Sequence, residues 1–462
     1  MEADPLFLSR LQFAFLIVFH FLLPAFTIGL ATYIAVLEGV HLWTRNPVFL
    51  RISNFWIRIF AVSFGLGVVS GIVMPFQFGT NWSRYSEITS NIIAPLMGYE
   101  GLTAFFLEAA FLGVLLFGRK LVPPWAHFLS ACLVAFGTLL SSFWILAANS
   151  WMHTPAGFEL VNGIFIPTDW FAVIFNPSFL FRLMHTVTAV YLTTAFTVIG
   201  VAAYYLRGGR HVEESRVMLL MGIGLTTILV PLQLVLGDLH GINTLEHQPA
   251  KLAAMEGLWE TGPGQPAVLF AIPDEQSESN HAEIAIPNLA SWYLTHDSAG
   301  VVTGLKDFKP ADRPPVVPVF VGFRVMVAMW AIMFLLTASA WYLKLKGRLF
   351  DSPRFLRACT WSIPVGYIAV TAGWVTTEAG RQPWTVQGLL RTADSVSPSL
   401  SGGDVIVSFV LYVIVYALIF GAGTFYLVRL ARRGPRDTTE ARDLRMGDRP
   451  ARPMSAAIES EQ

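Results

Sequence analysis

Charge is what this chain has least of. Asp, Glu, Lys and Arg make up 13% of its 462 residues while 54% are hydrophobic, and the mean hydropathy is +0.56, far from the balance of an average soluble domain. This excludes a soluble globular class and indicates a polytopic membrane protein. Cysteine is almost missing as well. Cys132 and Cys359 both lie in apolar runs, which excludes a disulfide framework or a cysteine-based metal site. No histidine cluster suited to copper occurs, and no fixed-period repeat is present. The formal net charge is zero, so no nucleic-acid partner is expected. The opening "MEADPLFLSR" is acidic rather than basic, so no cleavable signal peptide is expected.

What the chain does have is apolar sequence in long runs. Runs of roughly 20 to 28 residues, long enough to cross a bilayer as helices, occur nine times, at about 12–38, 54–78, 93–117, 125–150, 178–206, 216–238, 318–343, 356–378 and 405–431. The expected fold is an all-α polytopic membrane protein with about nine transmembrane helices. Basic loops stay cytoplasmic, which orients it. With the N-terminus outside, the inner loops carry Arg45 and Arg51; Arg119 and Lys120; Arg207, Arg210 and Arg216; and Lys344, Lys346, Arg348, Arg354 and Arg357. The stretch from Trp151 to Pro177 has no Lys or Arg, and eight further arginines fall between Arg429 and Arg452.

Four regions follow: spans one to six over 1–238, an outer loop over 239–317, spans seven to nine over 318–431, and a tail over 432–462. The tail is charged and contains proline without an apolar period, so it is expected to be disordered and cytoplasmic. "SRLQ", Ser9 to Gln12, reads as a capping box opening the first span. The outer loop is long enough to be functional rather than filler. It holds "KLAAMEGLWET", a helical run, and "NHAEIAIPNLASWYL", a packed or interfacial piece.

Ionisable groups at membrane depth are costly, so those that remain are functional candidates. His20 lies in the first span, where it serves either as an interhelical hydrogen-bonding group or as a metal ligand. Pro24, four residues on, removes the donor that would bond its carbonyl. His185 and Met326 fall at one depth in spans five and seven. Met326 alone reads as core filler, but a histidine and a methionine at one level can be the axial pair of a low-spin haem. Arg324 would lie nearer the surface, where a propionate can pair with it. Span three carries Glu100 and Glu108, about 12 Å apart at 1.5 Å per residue and offset by about 80° on one broad face. They are either satisfied protonated acids or steps of a proton relay, which Asn149 at the outer end of span four can line. Glu378 ends span eight in the same outer layer as His20, Glu100, His185 and Met326, with Glu108 deeper. Gly67 and Gly71 supply the small-residue spacing for close helix approach. A proton-coupled transporter would explain the carboxylates, but it leaves His185 with Met326 unexplained.

The pieces "SRLQFA", "FQFGTNWS", "EGLTAFFLE", "WILAANSWM", "HTV", "KLAAMEGLWET", "FRVMV" and "GRQPW" together resemble subunit I of the cytochrome bd-type quinol oxidases over essentially the whole chain. The outer loop is the short form, as in the cyanide-insensitive class. The resemblance implies three haems in a bundle of helices. His185 and Met326 match the axial pair of a low-spin haem b. His20 and Glu378 match the ligands of two high-spin haems, a haem b and a haem d or a further haem b in its place. Glu100 matches an active-site acid and Glu108 the inner carboxylate of a proton path. Lys251 and Glu256 match quinol-binding residues, Arg324 and Arg381 match residues near the propionates, and Trp374 an aromatic between haems. Implied too are a ubiquinol or menaquinol substrate, dioxygen as acceptor and a second large membrane subunit with possible small single-span ones. The implied enzyme sits in the bacterial inner membrane and generates a proton gradient without pumping. A haem protein that passes electrons to another protein instead of oxygen is the nearest alternative.

Overall fold

The computed structural model describes residues 4–435. Among them, nine helices are long and apolar enough to cross a membrane: Pro5–Thr44, Pro47–Thr80, Ser83–Lys120, Pro124–His153, Trp170–Arg207, Val212–His247, Val316–Leu345, Pro353–Ala379 and Gly402–Arg433. We call these spans one to nine. They agree in number and order with the apolar runs, and an odd number puts the ends of the bundle on opposite sides.

Proline and caps set many of the boundaries. Span one starts at Pro5, with the Asp4 carboxylate accepting the Leu6 N–H at 3.0 Å. The expected capping box at Ser9 and Gln12 is therefore not formed. Both residues lie inside the helix and are buried, and the Asn81 amide donates to the Gln12 carbonyl at 2.9 Å. They tie span one to the end of span two. At Pro24 the first span breaks: the Leu23 N–H donates to the His20 carbonyl at 3.1 Å, and a new helical segment starts at Pro24, because proline has no N–H to continue the ladder. Span nine opens on a capping box of Ser401 and Asp404 and runs to Arg433, so Arg432 and Arg433 belong to helix. The tail beyond residue 435 lies outside the described residues.

Lipid offers apolar side chains no reason to leave it, so spans associate by close packing around small residues. A Cβ on Gly29 would stand 2.4 Å from the Thr194 hydroxyl, and one on Gly322 2.8 Å from that of Thr376. These contacts join span one to five and span seven to eight. The largest core cluster, with Leu30, Ile34, Trp56, Phe60, Phe196 and Tyr205, fills the inner half; a second, with Trp82, Tyr85, Trp151 and Phe165, fills the outer.

Two departures from the sequence reading affect the site. Span three changes to π-helix over Glu100–Phe105, so an offset reckoned at an α-helical turn does not apply between Glu100 and Glu108; such wide turns recur at functional sites. Outside the spans, among the described residues, four two-stranded antiparallel sheets appear, the longest pairing Ala267–Asp274 with Ser279–Ile286. Span six continues to His247, followed by a short helix, Pro249–Glu256, that ends at Gly257 with φ 69°. "KLAAME" is thus helical and "GLWET" is not, since the left-handed glycine stops it.

Candidate redox site

Span eight ends where the outer loop docks. The Glu378 carboxylate is held by four donors: Asn149 Nδ2 at 2.8 Å and His153 Nε2 at 3.4 Å on Oε1, and Arg381 Nη2 at 2.6 Å and Nε at 3.2 Å on Oε2. Arg381 Nη1 also donates to the Thr385 carbonyl, which fixes the guanidinium across the turn that follows the helix. Trp374 lies one turn before Glu378, its ring 5.5 Å from that of Phe21. It links the Glu378 end of span eight to the residue next to His20.

The short loop helix brings Lys251 and Glu256 into this layer, both buried. Gly380 makes room for the lysine: a Cβ there would lie 2.8 Å from Lys251 Cγ. Lys251 Nζ donates to Gln248 Oε1 at 2.8 Å and to His153 Nδ1 at 3.0 Å. Burial first, then the nearby Arg182 charge, holds the Lys251 amine well below the usual lysine range. At the other end of the helix, Arg324 Nη2 donates to Glu256 Oε2 at 3.2 Å, while its Nη1 and Nε reach the carbonyls of Met255 and Val268 at 3.0 and 2.6 Å. Arg324 thereby pins the loop to span seven. The Tyr293 phenol is raised above the ordinary tyrosine range by burial and then by the Glu256 carboxylate beside it.

Three other sequence candidates each face a glycine on a neighbouring span. A Cβ on Gly71 would lie 3.1 Å from His20 Cε1, one on Gly237 3.6 Å from His185 Cε1, and one on Gly373 3.0 Å from Met326 Sδ. Gly67 is only in ordinary contact with Leu23 at 3.7 Å. His20 Nδ1 pairs with the Ser70 hydroxyl at 3.1 Å. Spans five and seven, which carry His185 and Met326, scarcely meet although both pack against spans six and eight. His240, on span six, sets its ring 5.4 Å from that of His185.

Span four serves the acids of span three. Glu100 Oε1 accepts from Ser141 at 2.8 Å. Glu108 is buried against Gly137, where a Cβ would lie 2.6 Å from its Cγ, and its Oε1 has no hydrogen-bond partner. Span four meets Glu108 at Gly137, Glu100 at Ser141 and Glu378 at Asn149 and His153, positions that wind about 160° around the helix at 100° per residue. Asn149 sits on Glu378 rather than on Glu100. Among the described residues no group of three or more His, Cys, Asp or Glu side chains could hold a metal ion; the ligand-type residues come singly from separate helices.

Residues 8–435 match the family described as cytochrome bd terminal oxidase subunit I. The chain belongs to that family. It is 36% identical to the cytochrome bd ubiquinol oxidase subunit 1 of Bacillus subtilis (strain 168), over 93% of this chain and 94% of that one. It is 32% identical to the cytochrome bd-II ubiquinol oxidase subunit 1 of Escherichia coli (strain K12), over 94% and 97%. Among solved structures, it is similar to the bd oxidase of Geobacillus thermodenitrificans, with a TM-score of 0.88 at 29% identity over 94% of this chain and 100% of that one.

The cytochrome bd family is one of haem proteins, and a subunit I works within a multi-subunit respiratory oxidase of the bacterial membrane. The side chains fit haem in three places by an observation of the fold itself. His20 and Met326 each stand where a Cβ on the facing glycine would crowd them, His185 Nδ1 is buried without a hydrogen-bond partner, and an imidazole or thioether is a usual axial donor. Glu378 fits with one change. A carboxylate offers about four acceptor sites, all taken here, so an iron would replace one donor, of which His153 is the most distant.

His153, Gln248, Tyr293, Gly237 and Gly373 were missed by the sequence reading, and Gly71 was read there only as a helix-packing residue.

Proposed function

We propose that this chain is the subunit of a quinol:oxygen oxidoreductase that oxidises membrane quinol at the outer face and reduces dioxygen to water with protons drawn from the cytoplasm. Haem, when bound, supplies electron transfer and the reduction of dioxygen. His185 and Met326 would hold a low-spin haem b, and His20 and Glu378 the two high-spin haems, one of them haem d or a further haem b.

This chain's residues do the rest. Lys251 and Glu256 lie on one short helix and are both buried, so they can bind the head group of a quinol between them; Glu256 can accept its proton. Arg324 keeps Glu256 in place, and protons leave on the outer side. Glu108, with an unpaired buried oxygen, and Glu100, bound to Ser141, are successive stations for protons that enter from the inner side. Electrons and protons meeting from opposite sides separate charge without a pump. A second large subunit and small single-span ones would cover the lipid-facing helices.

The observation that carries this reading is that span four meets Glu100 through Ser141 and Glu378 through Asn149 and His153, and that His153 in turn meets Lys251 of the outer loop. Quinol-dependent oxygen uptake by the purified oxidase tests it. Uptake is expected in the native protein and is abolished by His20→Ala or Glu378→Ala. An oxidase that turns over unchanged in both variants contradicts it.

A further inference from the structure

His153 is buried, with 1% of its surface exposed, at the last turn of span four, and the donors around it determine which ring nitrogen carries its proton. Nδ1 faces the Lys251 amine at 3.0 Å and the Gln248 amide nitrogen at 3.4 Å. The orientation of the Gln248 amide follows from its own partners. Its oxygen accepts from Lys251 at 2.8 Å and from Arg182 at 3.3 Å, and its nitrogen donates to Gln387 Oε1 at 2.9 Å. Nδ1 thus meets only N–H donors and is the acceptor. The ring proton belongs on Nε2, where it is donated to Glu378 Oε1 at 3.4 Å.

We infer that His153 is a positioning residue joining the two ends of the reaction: it accepts from Lys251 of the quinol helix and donates to Glu378 of the haem site. From Lys251 the bonds run in one sense, through His153 to Glu378, while the same amine also donates to Gln248 and is fixed by it. A ligand orients by what its free atoms bond to, so the hold on Glu378 depends on where Lys251 sits. Quinol arriving at the loop helix and displacing the Lys251 amine would release His153 Nδ1 and loosen Oε1, the oxygen with the most distant donor. The oxygen site then senses the quinol site through one imidazole. The inference rests on the reading of Glu378 as a haem ligand.

The test uses the whole oxidase with His153→Leu, His153→Gln, Lys251→Met and Glu378→Ala, followed by haem content, optical redox titration and quinol kinetics. His153→Leu is expected to weaken retention of the Glu378 haem by about tenfold or more, or to shift its midpoint potential and absorption band. The low-spin haem of His185 and Met326 stays where it was, and the quinol KM rises more than kcat falls. His153→Gln restores both, because its amide oxygen can accept from Lys251 and its nitrogen can donate to Glu378. Lys251→Met shifts the high-spin signature in the direction of His153→Leu, which keeps the inference testable if the leucine variant does not assemble. It is overturned if His153→Leu leaves the high-spin signature and KM native, if the glutamine variant behaves like the leucine one, or if Lys251→Met is spectrally silent. Glu378→Ala separates the two layers of the argument: a full haem complement in that variant overturns the reading of Glu378 itself. Loss of one haem there with a silent His153→Leu overturns the role of His153 alone.

Discussion

Arg381 and Glu378 stand three residues apart and pair at 2.6 Å, with 10% and 15% of their side chains exposed. The same guanidinium holds the Thr385 carbonyl, so one side chain secures both the carboxylate and the turn that ends span eight. Arg381→Gln leaves a nearly buried carboxylate without its cation, a loss of roughly 3–5 kcal/mol. Arg381→Lys is not expected to restore it, because a single ammonium cannot serve both partners in the geometry of the planar fork. Thermal melting and haem content of the purified oxidase measure this, and a lysine variant indistinguishable from native contradicts it.

The facing glycines make a controlled test of the ligand set. Gly71→Ala places a methyl 3.1 Å from the His20 ring and Gly373→Ala one 3.0 Å from the Met326 sulfur, whereas Gly67→Ala meets its nearest neighbour at 3.7 Å. The first should perturb a high-spin haem band, the second the low-spin band, and the third neither. Reduced-minus-oxidised spectra read all three; equal spectra for Gly67→Ala and Gly71→Ala would show that the space beside His20 is not used.

Glu108 gives a prediction about rate rather than binding. Glu108→Gln removes a proton-carrying group but keeps its shape, so kcat for oxygen uptake should fall by roughly tenfold to a hundredfold while quinol KM holds. Gly137→Ala, whose Cβ would lie 2.6 Å from Glu108 Cγ, should slow turnover in the same way. Unaltered turnover in both removes Glu108 from the proton path.

The nine spans were legible because lipid demands long apolar helices, and that demand is written in composition alone. His20, Glu378 and the acids of span three were legible because an ionisable group in such a run needs a reason. His153 was not, since a polar residue at the end of a span looks like a helix reaching water; only the fold shows that the outer loop covers it. The capping box at Ser9 failed for a related reason. A polar pair near a helix start has the same pattern whether it caps the helix or, as here, binds Asn81 on the next span. The π-helical turn at Glu100 has no local marker that periodicity can detect, and the outer hairpins were hidden in a loop read only for length.

Lys251 makes stability depend on pH. Its amine is held below the ordinary lysine range in the folded protein, so between the folded and unfolded values the unfolded chain binds more protons and stability rises with pH. The cost of burying this amine is present below the unfolded value and disappears as pH rises through it. Melting temperature from neutral to alkaline pH should climb, and Lys251→Met should flatten the climb. An identical slope in native and variant proteins contradicts the lowered affinity of the buried amine for its proton.

Haem stoichiometry tests the central claim most directly. Extracted haem is counted per oxidase and assigned optically in the native protein and in His20→Ala, Glu378→Ala and Met326→Leu. The account expects one high-spin haem to be lost in each of the first two, and the low-spin band to be lost or shifted in the third with the fold kept. A native haem count and spectrum in His20→Ala or Glu378→Ala would contradict it.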